Sequence, residues 1–182
     1  MFTIFLAVVM FFALILQLLG VVPNFGGQVL LMPVVFLYAA AALPLWGMLL
    51  LAFLAGFMWD CLIAVPVDGR MEFFFGWNIL VFGALGAVMN GLHPLFIRGR
   101  WQVHCLLTGV LISLLVLLEF ALITFRREPF ALLWSADVWK RILGSGLSAF
   151  IVSPVLFFSL NWIGRRLGHF DRARAIITTT TP

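Results

Sequence analysis

Apolar runs separated by short polar breaks set the pattern of this chain, and several of those runs are apolar on every side. Residues 43–57 show neither the alternation of a strand with one wet face nor the polar stripe of a surface helix. The runs and their breaks predict six helical spans, at about 3–21, 28–42, 44–63, 73–92, 103–125 and 146–163. Pro23, Asn24, Gly26 and Gly27 close the first, and Pro33 falls near the start of the second, where a proline is best tolerated. Pro44 opens the third. A polar loop with Pro66, Asp68, Gly69 and Arg70 separates the third from the fourth, which ends at His93 and Pro94.

The segment 126–145 has a different pattern. Phe130, Leu133, Trp134, Val138 and Ile142 recur at helical spacing, while Asp137 and Arg141 stand four apart on another face. This predicts an interfacial amphipathic helix over about 128–144, with Trp134 and Trp139 as anchors at headgroup level. The domain expectation is one helical membrane domain over 1–163, followed by a basic, cytoplasmic and partly disordered tail over 164–182.

Composition sharpens the class. Of 182 residues, 64% are apolar and 10% charged, too few charges for a water-facing surface. A hydrocarbon core of about 30 Å needs roughly 20 apolar residues per helix, and runs near that length recur. The other spanning solution, a β-barrel, would show alternating segments of about ten residues, which are missing. The fold class expected is therefore all-α and polytopic.

The net charge of +4 is no nucleic-acid signature, because the basic residues sit in short patches beside apolar runs. With six spans both termini share one side. Cytoplasmic termini place Arg98, Arg100, Arg165, Arg166, Arg172 and Arg174 inside, against Arg70, Arg126, Arg127, Lys140 and Arg141 outside. Residues 3–21 lack a basic leader and a small-x-small cleavage site, so they are read as a retained helix. Cys61 and Cys105 have no pairing or metal-ligand spacing and are read as small buried hydrophobes.

Polar residues inside apolar runs are the candidates for chemistry or packing. Asp60 is read either as a structural cap and loop anchor or as a partner-binding residue. Glu119 is read as snorkelling or pairing with a basic residue. Gln17, Asn78, Asn90 and Asn161 are read as hydrogen-bonding between helices. Gly83, Ala87 and Gly91 on the fourth span, with Ala52 and Gly56 on the third, form small-residue stripes that predict close helix packing. No His-Glu-x-x-His, Gly-x-Ser-x-Gly or phosphate-cradling motif occurs, and His93, His104 and His169 are scattered. The expectation is a protein that is not an enzyme and holds no metal or cofactor.

Residues 33–86 resemble the MreD family of bacterial rod-shape-determining membrane proteins. The resemblance is carried by Pro33 opening the second span, Tyr38 within it, and Gly56, Phe57, Met58, Trp59 and Asp60 ending the third. A short loop with Asp68, Gly69 and Arg70 and an apolar fourth helix ending in small residues complete it. The resemblance implies a scaffold of the cell-elongation machinery in a bacterial inner membrane. Implied partners are an MreC-like single-pass protein and wall-synthesis enzymes, with lipid around the chain and no nucleic acid. It also implies a fold like the substrate-binding membrane subunits of energy-coupling-factor transporters. The alternative is therefore a small-molecule-binding subunit of a transporter.

Overall fold

A computed structural model describes residues 2–19, 29–62, 65–67, 70–72, 76–92, 101–127 and 135–166. Among them are six helices: α1 (Phe2–Leu18), α2 (Leu31–Ala42), α3 (Leu45–Leu62), α4 (Trp77–Gly91), α5 (Trp101–Arg127) and α6 (Ala136–Arg166). Between α3 and α4 lies a small antiparallel hairpin of β1 (Val65–Val67) and β2 (Arg70–Glu72), paired Val65 to Glu72 and Val67 to Arg70. The two residues that join its strands, Asp68 and Gly69, have the chemistry of a tight hairpin turn and lie outside the described residues.

Three helices, α3, α5 and α6, are long and apolar enough to cross a membrane. The others are shorter apolar helices. With 12 residues, α2 is about 18 Å long and falls short of a bilayer core. It occupies the centre: every residue except Leu31 is buried, including Pro33 in its first turn. A helix surrounded by protein needs no wet face, which is why its sequence shows no stripe. Phe36 packs edge-on against Phe82 of α4, with ring centroids 5.2 Å apart, and Tyr38 meets His104 of α5 and Phe157 of α6 at 6.0 and 5.9 Å.

The helices alternate in direction. Thr3 of α1 lies beside Gly47 of α3, and Asn90 of α4 bonds to the C-terminal end of α2. Trp101 of α5 packs on Phe158 of α6. These contacts gather the start of α1 and the end of α6 at one end of the bundle. The opposite end carries Gln17, Asp60, the hairpin, Glu119 and the start of α6. Outward faces are rich in large apolar residues, among them Trp46, Leu50, Phe53, Leu80, Leu147 and Val155. A surface this apolar suits hydrocarbon around it.

Two expectations about the helices differ from what is observed, and Cys61, expected to be a small buried hydrophobe, is exposed near the end of α3, where its side chain lies on an outward face. The last span, expected to start at Gly146 after a separate interfacial helix, is one continuous helix from Ala136. Gly144 and Gly146 do not break it because Gly146 packs directly on α5: an added methyl would lie 2.8 Å from the Gly109 carbonyl oxygen and overlap the Ser113 hydroxyl. Close packing there offsets the helical cost of glycine, about 1 kcal/mol. Within the first turns of α6, Ile142 is buried while Asp137, Trp139, Lys140 and Arg141 are exposed. Phe130, Leu133 and Trp134 lie outside the described residues.

The second difference concerns the stripe Gly83, Ala87 and Gly91. Ala87 and Gly91 are exposed, and nothing lies within 4 Å of a methyl added at Gly83 or Gly91. The contact face of α4 is set instead by Val81, Phe82, Leu85, Gly86 and Met89, all buried. Gly86 seats Met48 and Phe36, 2.7 and 2.9 Å from an added methyl. Larger apolar side chains took most of the inner face, where they make more van der Waals contacts with α2 and α3.

Candidate functional site

The end of α3 and the start of α4 meet at Gly56 and Asp60, one helical turn apart on one face. Gly56 lets the two backbones touch. A methyl on it would overlap Ile79 and lie 2.8 Å from the carbonyl carbon of Asn78. Ala52, one turn earlier on the same face, is also buried.

Asp60 exploits that approach. It is 2% exposed. One carboxylate oxygen accepts the Gly76 backbone N–H at 2.8 Å, and the other accepts the Asn78 side-chain amide at 2.7 Å. Gly76 precedes α4 with a φ of 102°, a left-handed conformation that favours glycine. The first N–H groups of a helix have no partner within it and carry partial positive charge. Asp60 thus caps α4 from a neighbouring helix, and the structural side of its two sequence readings has a geometry. Asn78 keeps a buried side-chain oxygen with no partner among the described residues.

The same device recurs. Asn90 donates its amide to the Ala40 and Leu43 carbonyls, both at 2.8 Å, at the end of the central helix. The Gln17 side-chain oxygen accepts the Met32 N–H at 3.4 Å, at that helix's start. Short helices end inside an apolar bundle, and side chains from other helices satisfy the exposed backbone groups.

Trp59, the neighbour of Asp60, turns elsewhere. Its indole N–H donates to Glu119 of α5, and its ring packs on Phe82 at 6.1 Å. Glu119 also lines a cavity of about 260 Å³ with Asp137 and Arg141 over an apolar floor of Val116, Phe120, Val138 and Ile142. Sequence reasoning singled out Glu119 but not Trp59 as its partner. It also did not find the α5–α6 contact at Gly109, Ser113 and Gly146, where an added methyl on Gly109 would lie 3.0 Å from the Gly146 carbonyl oxygen. The spacing of four from Gly109 to Ser113 was a signal available in the sequence.

Of the other candidates, Trp139 is exposed on α6. Arg70 sits in β2. Asp68, Gly69 and Trp134 lie outside the described residues. His104 is buried beside Tyr38, about 22 Å from Glu119 along α5, so the two do not meet. Among the described residues no three His, Cys, Asp or Glu side chains gather as metal ligands would. No family model matches this chain, and neither a curated protein nor a solved structure does.

Proposed function

We propose that this chain is a six-span integral membrane protein of the MreD type, a non-enzymatic scaffold of the bacterial cell-elongation machinery. In this reading both termini are cytoplasmic in the inner membrane, and the hairpin end faces outward. An MreC-like single-pass protein and wall-synthesis enzymes are its partners, and its role is to hold side-wall synthesis along the rod.

The observation that supports it is the use made of residues 56–60. The stretch that carries the family resemblance is where α3 locks onto α4 and fixes the start of α4. Gln17, Asp60 and Asn90 each tie a helix end to another helix, as suits a rigid platform for partners. The test is depletion in the native host, with imaging of cell shape and newly inserted wall. Rounding with loss of dispersed side-wall insertion is expected. Unchanged shape and insertion would sink the reading.

The cavity bearing Glu119, Asp137 and Arg141 favours a second reading, a small-molecule-binding subunit of a transporter. That reading requires a metabolite that raises the thermal stability of the purified protein. A broad panel without such a ligand counts against it.

A further inference from the structure

A groove of about 850 Å³ runs along the outer side of α5 and α6, away from every residue used above for helix capping. Gly109, Gly144 and Gly146 lie along its floor, where Gly109 and Gly146 are buried and let the two helices touch. Val110, Leu147 and Phe150 form its apolar walls and are exposed. The polarity of the lining is one-sided. Its charged residue, Lys140, and its indole, Trp139, both sit at the end nearest the start of α6.

Depth identifies what fits. From Trp101 to Glu119, α5 rises about 27 Å, close to the roughly 30 Å of a bilayer core. Glu119 shares its cavity with Asp137, so the first turns of α6 lie level with one edge of that core. From Trp139 to Phe150 the groove descends about 16 Å, and on the α5 side Leu106 lies about 20 Å below Glu119, so it ends roughly two-thirds of the way across the core. The groove starts at headgroup level, carries its charged group and its indole only there, and ends inside the core, as a headgroup with an acyl chain below it requires. Tryptophan and lysine are suited to that level, the indole at the interface and the ammonium against phosphate.

We propose that the α5–α6 groove is a binding site for one phospholipid of the adjacent leaflet. Its acyl chain lies along Gly109, Val110, Leu147 and Phe150, and its phosphate meets Lys140. Lys140 is already 3.3 Å from Asp137, but both side chains are largely exposed, and such a pair yields readily to a phosphate. The inference rests on the membrane reading alone and stands whether or not the scaffold reading does.

The test uses the full chain in a mild detergent with phosphatidylglycerol added, read by native mass spectrometry. One lipid per chain is expected to survive activation. Val110→Trp and Leu147→Trp, which fill the groove from exposed positions, should weaken binding roughly tenfold. Lys140→Gln should weaken it by a smaller factor. Val88→Trp, at an exposed position on α4, is the folded control and should bind as the parent does. Equal retention in both groove-filling variants overturns the site, as does equal loss in the Val88→Trp control. Lys140→Gln binding unchanged overturns the phosphate assignment. A dimer that the groove-filling variants dissociate would give the groove to a second copy instead and overturn the lipid.

Discussion

Substituting Gly56 by alanine adds one methyl group, and the geometry says what it must displace. The new carbon would stand 2.8 Å from the Asn78 carbonyl carbon and would overlap the Ile79 backbone. Comfortable carbon contacts are about 3.5–4.0 Å, so the first turn of α4 must recede by about 1 Å. Backbone cannot rotate away as a side chain can. The Asp60 bonds, now 2.8 and 2.7 Å, would then open to about 3.7 Å, beyond hydrogen-bonding range. Overpacking costs about 1–3 kcal/mol, and each lost interhelical bond in a bilayer costs about 0.6 kcal/mol, at most about 1.7.

The expected loss is therefore about 3 kcal/mol, roughly a hundredfold in the folding equilibrium. Reversible unfolding in mixed micelles, titrated with a denaturing detergent, measures it. A cycle with Asp60→Ala tests the reasoning further. With both bonds already gone, Gly56→Ala should cost only its steric part, so the two changes together should cost less than their sum. A Gly56→Ala protein within about 0.5 kcal/mol of the parent would refute the close contact as the source of stability. Strict additivity would refute its link to Asp60.

Two further outcomes follow from the same packing. Asn90→Leu leaves the Ala40 and Leu43 carbonyls without their donor and should cost about 1–3 kcal/mol, seen as a lower melting temperature in detergent; an unchanged value would remove Asn90 as the cap of α2. Cys61 is exposed near the hairpin end, while Cys105 is 1% exposed. A membrane-impermeant maleimide added to intact cells should therefore label Cys61 and spare Cys105, and labelling of Cys61 only after the cells are opened would reverse the proposed orientation.

Much of the architecture is written locally. Uniform apolar runs specify helices in an apolar surround, because backbone groups there must bond within their own segment. Pro44 and the pair Asp68 and Gly69 mark breaks through their own backbone preferences. The first five helices accordingly fall close to where periodicity and punctuation put them, with ends shifted by a few residues, whereas α6 begins ten residues earlier than expected.

What the local pattern could not carry is the choice of partner. Gly83, Ala87, Gly91 and the pair Ala52 and Gly56 read alike as small-residue stripes. Only packing decided that Gly56 touches another backbone while Gly83 and Gly91 face outward. Asp60, Asn90 and Trp59 read as isolated polar or aromatic groups. Their bonds reach residues 16 to 60 positions away along the chain, so three-dimensional juxtaposition alone assigned them. The continuity of α6 through two glycines has the same origin, because the compensation comes from Gly109 and Ser113 on another helix. Sequence by itself determined which segments are helices and what medium suits them, since both depend on neighbours a few residues away. Tertiary structure decided which polar group completes which helix end and which apolar face is left outward, since those depend on contacts between helices far apart in the chain.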